Sequence, residues 1–155
     1  MAVVLILALV KGGTPERIGV GLLVGVTSLQ AILYATVPPR FTELDLIAGL
    51  ADLAFFLGFG WLAIKAKRAW PICASAFQII SLASHVAREI QIQIEPMAYS
   101  IMKSTPTGMA IILIGIGTVM HMRRLNANGE DADWTDWNRL RLKRSRLGTD
   151  IQSSI

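Results

Sequence analysis

A chain of 155 residues has room for one domain; 53% of its residues are hydrophobic and only 17% charged, where soluble domains carry about a quarter. With a mean hydropathy of +0.51 and apolar residues gathered into long runs, the chain reads as a set of transmembrane helices rather than a soluble fold. The net charge is +4, and the single cysteine, Cys73, excludes an internal disulfide or a thiolate metal cluster within one chain.

Residues 2–10, AVVLILALV, are apolar but too few to cross a bilayer, which takes about 20 helical residues. A signal peptide would place its basic region first and a small-residue cleavage site after. Here Lys11 follows the apolar run and no such site appears. The expectation is a short helix lying in, or dipping into, the interface; a truncated span is the competing reading.

Lys11-Gly12-Gly13 breaks that segment, and Thr14-Pro15-Glu16 is a helix start. It offers a capping hydroxyl, a proline at the first helical position and an acid at the positive dipole end. Span 1 is expected over about 15–36, ending before Pro38-Pro39. Its Gly21-x-x-x-Gly25 permits close helix contact. Thr42-x-x-Asp45 has the form of a capping box and opens span 2, about 43–66, which Lys65, Lys67 and Arg68 close. Trp70-Pro71 opens span 3, about 70–90, with Trp70 expected at interfacial height. The alternation around Ile90–Glu95 suggests a strand, but a lone strand at a membrane surface has no backbone partner. An extended helix end and an interfacial turn are expected instead. Thr105-Pro106 then caps span 4, about 106–122, and residues 1–124 form an up-down four-helix bundle.

Basic residues set the orientation. Lys11, Arg17, Lys65, Lys67, Arg68, Arg123 and Arg124 fall on one side of the spans, and Arg40, Arg88 and Lys103 on the other. The basic-rich side is expected in the cytoplasm with both termini, in a bacterial inner membrane.

Residues 125–155 form a tail of different composition. Asn126-Ala-Asn128-Gly129 reads as a flexible turn, and acids precede bases in the segment that follows. A cytoplasmic amphipathic helix is expected over about 134–147. It would lie on anionic lipid through Trp134, Trp137, Arg139, Arg141, Lys143, Arg144 and Arg146. The alternative is a solvated, frayed tail. No nucleic-acid-binding fold is present.

The stretch FQIISLASHVARE in span 3 carries Gln78, Ser81, His85 and Arg88, spaced 3, 4 and 3, on one side of a helix. Span 2 offers Asp52 and, seven residues earlier on the same face, Asp45. Counted from the shared turn at 1.5 Å per residue, Asp52 and His85 lie roughly 20 and 22 Å deep. Asp45 and Arg88 lie roughly 30 and 27 Å deep by the same count. A polar ladder is therefore expected, Asp52–His85 inside and Asp45–Arg88 at the outer mouth, with Gln78 and Ser81 continuing it inward. It is either helix-joining glue or a site for a proton or small ligand. His85 and His121 are too far apart in depth to share a haem. No metal-ligand spacing, serine-nucleophile motif or phosphate-binding glycine loop is present. No cofactor is expected. Gly58-x-Gly60 and Gly115-x-Gly117 read as packing positions.

Through TPER, FLGFGWLAIKAKRAWP, AFQIIS and His85, residues 11–124 resemble a group of small alphaproteobacterial four-span membrane proteins. The resemblance implies the span count and brings no activity or site residue with it. The expected function is a non-enzymatic accessory or assembly subunit of a membrane complex, associating with other membrane subunits or with itself. The alternatives are a small-molecule or proton-conducting protein using the Asp52–His85 pair, and a holin-like pore former.

Overall fold

The structure is a computed structural model that describes residues 1–36, 41–89 and 96–136, with side chains defined except at 41–45, 88–89, 96, 98–100 and 102–104. Among these residues are five helices and no named strand: α1 (Ala2–Lys11), α2 (Thr14–Thr36), α3 (Phe41–Lys65), α4 (Trp70–Glu89) and α5 (Pro96–Asn128). Four stretches are long and apolar enough to cross a bilayer: Thr14–Thr36, Leu46–Lys65, Trp70–Ala87 and Thr105–Asn128.

Around the bundle α2 packs on α3, α3 on α4, α4 on α5 and α5 on α2, while across the diagonal Trp70 of α4 reaches Glu16 and Gly19 of α2. Short turns between consecutive long helices impose this antiparallel order. The inner face of α3 is a helical stripe of Ala48, Asp52, Phe55, Phe59 and Leu62, all buried. Phe55 stacks on Phe59, and Phe59 meets Trp70 edge-on at 6.1 Å. Outward residues such as Ile32, Leu46, Leu57 and Ile79 are exposed and apolar, as lipid contact requires.

Trp70 is 5% exposed and packs into the core at the end of the bundle where α4 begins. Two glycines make room for it. A Cβ on Gly117 would collide with Trp70 Cδ1, and one on Gly19 would lie 2.7 Å from Trp70 Cη2. Gly58 is similarly closed by Leu22 and Gly115 by Val4, whereas Gly21, Gly25 and Gly60 face open space. The Gly21-x-x-x-Gly25 pair thus makes no helix contact among the described residues.

α1 lies alongside the bundle, against α5 and α2. Ala8 is fully buried, Val4 sits at Gly115, and Gly13 sits near His121. α1 therefore runs parallel to α5 for roughly 15 Å, its apolar length, and does not lie across the bundle's end.

The structure departs from the sequence expectation at α5. The helix starts at Pro96, ahead of the expected cap at Thr105, and passes through Pro106. Proline lacks an N–H and crowds the preceding turn, which is why Thr105-Pro106 reads as a start; apolar residues on both sides carry the helix across it. The helix also continues past Met122 to Asn128. Gly129, at φ 72°, donates its N–H to Leu125 O at 2.9 Å and closes the helix with a left-handed cap. Asn126–Gly129 is thus a helix end and not a flexible turn.

Beyond that cap the chain turns back on the bundle. Trp134 and Ala66 form an antiparallel bridge, with Lys67 N donating to Asp133 O at 3.0 Å and Thr135 N to Lys65 O at 2.9 Å. Trp134 also meets Trp61 edge-on at 6.0 Å. Residues 130–136 are a strap, so a tail helix does not begin at Trp134. Trp137, Arg139, Arg141, Lys143, Arg144 and Arg146 lie outside the described residues.

Candidate functional site

The α3 stripe is apolar except for Asp52, which is 7% exposed. On α4 the facing stripe is polar: Gln78, Ser81 and Ser84 are fully buried and His85 is half-buried. Ser81 Oγ donates to Asp52 Oδ2 at 2.5 Å, and His85 Nε2 lies 3.1 Å from the same oxygen. The imidazole ring rests over Gly49. Ser84 Oγ turns back to Ser81 O at 2.7 Å. A carboxylate in a span is costly unless hydrogen-bonded, and here two side chains of the next helix serve it.

Gln78, one turn nearer the α3–α4 turn, is different. Its side chain is fully buried, yet neither amide atom has a hydrogen-bond partner among the described residues. A bare amide in an apolar interior costs about 1–3 kcal/mol, so the position calls for water or a polar solute. The structure therefore joins Asp52, Ser81 and His85, leaves Gln78 on the same stripe without a partner among the described residues, and places Asp45 in α3 and Arg88 in α4 without defining their side chains.

Ser81 donates to the same Asp52 oxygen that His85 approaches, so the carboxylate is the shared centre of the cluster. What the cluster can do is hold a proton or a hydrogen-bonding solute, because carboxyl, imidazole and hydroxyl each switch between donor and acceptor.

A second polar cluster closes the bundle end where α3 turns into α4, and sequence reasoning passed over it. Arg68 is 7% exposed. Its Nε donates to Glu16 Oε1 at 3.3 Å, and Trp70 Nε1 donates to the same oxygen at 3.0 Å. The outer edge of the guanidinium grips the strap. Nη1 and Nη2 reach the two oxygens of Asp131 at 3.3 and 2.8 Å, and Nη2 reaches Asp133 Oδ1 at 2.8 Å. His121 Nδ1 lies 2.7 Å from Asp131 Oδ2, and Arg124 Nε lies 3.0 Å from Asp131 Oδ1. Asp133 Oδ2 accepts from Thr14 N at 3.1 Å. The α2 N-terminus is therefore capped by a carboxylate from the far end of the chain, where the Thr14 hydroxyl was expected.

For Asp131 burial is the largest single influence and opposes ionisation. Hydrogen bonds from His121 and Arg124, with the charges of Arg68 and Arg124, together outweigh it and hold the carboxyl below its ordinary value. The residues expected only to set topology, Arg68 and Arg124, thus work as ion-pair partners. In the structure Asp131, Asp133 and Thr135 are half-buried between exposed Glu130, Ala132, Trp134 and Asp136, the period of two of an extended strap, but the acids at 130, 131, 133 and 136 do not show that period in the sequence.

These features define an all-helical, multi-pass membrane protein of four spans with one polar cluster inside the bundle and one at its end. No protein family, no curated protein and no solved structure matches the chain.

Proposed function

We propose that the protein is a non-enzymatic inner-membrane protein whose working part is the Asp52–Ser81–His85 cluster, which passes a proton or holds a small polar solute. The observation that carries this reading is the convergence of Ser81 and His85 on one oxygen of a carboxylate set in a membrane span. The unpartnered Gln78 amide on the same stripe adds to it, since helix-joining glue would leave no polar atom unpaired.

The test is proton flux into proteoliposomes at an imposed pH gradient, with and without candidate polar solutes. Wild-type protein should carry a flux above protein-free vesicles, and Asp52→Asn should lose it. Wild-type vesicles as tight as protein-free ones, together with no solute retained on purification, would sink the proposal.

A second reading, an accessory or assembly subunit, is favoured by a different observation. Gly21 and Gly25 leave an open face on α2 with nothing against them among the described residues, which suits a helix of another subunit. Gentle extraction followed by mass spectrometry would find a stoichiometric partner on this reading and none if the protein works alone. On either reading the basic residues at the strap end favour a cytoplasmic position for that end.

A further inference from the structure

Asp131 and Asp133 occupy a site whose donors come from elsewhere in the fold. Arg68 contributes Nη1 and Nη2, His121 its Nδ1, Arg124 its Nε, and α2 its first backbone N–H at Thr14. The Arg68 side chain is 2% exposed, and Glu16 holds its Nε from behind, which fixes the two Nη atoms toward the strap. With the strap lifted, Arg68, Arg124 and Glu16 would leave one net positive charge, two if His121 is protonated. A helix N-terminus would point at the same space. A forked guanidinium beside such a terminus is the arrangement that takes phosphate oxygens. Arg124 Nε, at ion-pair distance from Asp131, and its buried Nη2 both lack a well-formed hydrogen bond among the described residues, so the two aspartates leave donors unused.

The strap is held by polar contacts more than by burial. Glu130, Ala132, Trp134 and Asp136 are exposed, Trp134 remaining 39% so. Besides the ion pairs, the bonds that fasten it include Thr14 N to Asp133, two backbone hydrogen bonds of the Ala66–Trp134 bridge and one from Arg68 to Ala132 O, with the Trp61–Trp134 contact beside them. With little apolar surface buried, its release turns on whether another anion replaces Asp131 and Asp133 at their donors. It also leads directly into WNRLRLKRSRLG, whose five basic residues at 139–146 are drawn to an anionic surface.

We propose that the bundle end is a phosphate-oxyanion site that the chain's own Asp131 and Asp133 fill, and that the site takes the phosphate of an anionic lipid headgroup or free phosphate when the strap leaves. The strap is then a built-in competitor, and the apparent affinity of the site scales with the fraction of molecules in which it is open.

The test uses the full chain in bilayer discs. Asp131→Asn with Asp133→Asn removes the competing charge, and this variant should bind inorganic phosphate or retain phosphatidylglycerol at least about tenfold more tightly than wild type. Adding Arg68→Gln to it should abolish the gain. Binding of phosphate in purely neutral lipid would assign the free ion, and binding only with phosphatidylglycerol would assign the headgroup; either carries the proposal. A folded double variant that responds to neither beyond matched chloride would overturn it, as would a gain that survives Arg68→Gln. If the double variant does not fold, a spin label at Thr135→Cys in a Cys73→Ser background decides. Phosphate should free the label in the otherwise intact protein more than chloride of equal ionic strength, and equal mobility would overturn the proposal.

Discussion

At the scale of single residues, Arg68 carries the heaviest duty outside the spans. It faces Glu16, Asp131 and Asp133 at once, so Arg68→Gln leaves buried carboxylates without their cation. Removing one partner from such a network costs about 3–5 kcal/mol, to be read as a large fall in thermal stability in detergent. A fall of only a few tenths of a kcal/mol would mean that the cluster is solvated. Asp131 supplies a pH signature. Its carboxyl is lowered in the folded protein, so its contribution is fully present above its ordinary value of 3.8 and is lost as pH falls through the lower folded value. Asp131→Asn should therefore flatten the acid limb of the stability curve below about pH 4, and an unchanged limb would assign it to other groups. Neither residue announced this role in the sequence. Arg68 sits in a basic run that a membrane boundary explains sufficiently, and its acidic partners lie 52 to 65 positions away. By contrast Asp52 and His85 were legible, because an ionisable residue in an apolar run needs a partner and a short turn fixes their relative depth.

At the scale of elements, the spans follow from apolar length, and their ends follow from capping residues, proline and basic runs. That logic gave α2, α3 and α4 to within two residues of their observed limits. It misplaced the start of α5 because proline was weighed as a boundary, and it misread Asn126–Gly129 because a glycine cap and a glycine loop share the same letters. Gly129 at φ 72° makes the difference measurable. Gly129→Ala should cost about 1 kcal/mol and loosen the strap that follows it, seen as faster amide exchange over residues 130–136. An exchange pattern like wild type would show that the strap holds without its cap. Trp70 illustrates a second limit. Its burial depends on glycines in α2 and α5, which no local pattern connects to it. Gly117→Ala should overpack that contact by about 1–3 kcal/mol, whereas Gly21→Ala, in open space, should leave the monomer's stability unchanged.

At the scale of the whole molecule, the chain is an antiparallel bundle with its two polar clusters at different depths. The end cluster ties α2, the α3–α4 turn, α5 and the strap into one closed end. The inner cluster bridges α3 and α4 and leaves Gln78 unpaired. Reporter fusions should place Arg68 and the C-terminus on the same side of the membrane and Lys103 on the other, and a C-terminal fusion on Lys103's side would contradict four spans. The central claim is that the inner cluster works through a titratable pair and is more than a joint between helices. The measurement that tests it most directly is proton flux through Asp52→Asn with His85→Gln, a pair that keeps a neutral hydrogen bond and removes both titratable groups. The account predicts a variant of near wild-type thermal stability whose flux has fallen to that of protein-free vesicles. Flux retained at the wild-type level in that variant would make the polar stripe structural and contradict the account.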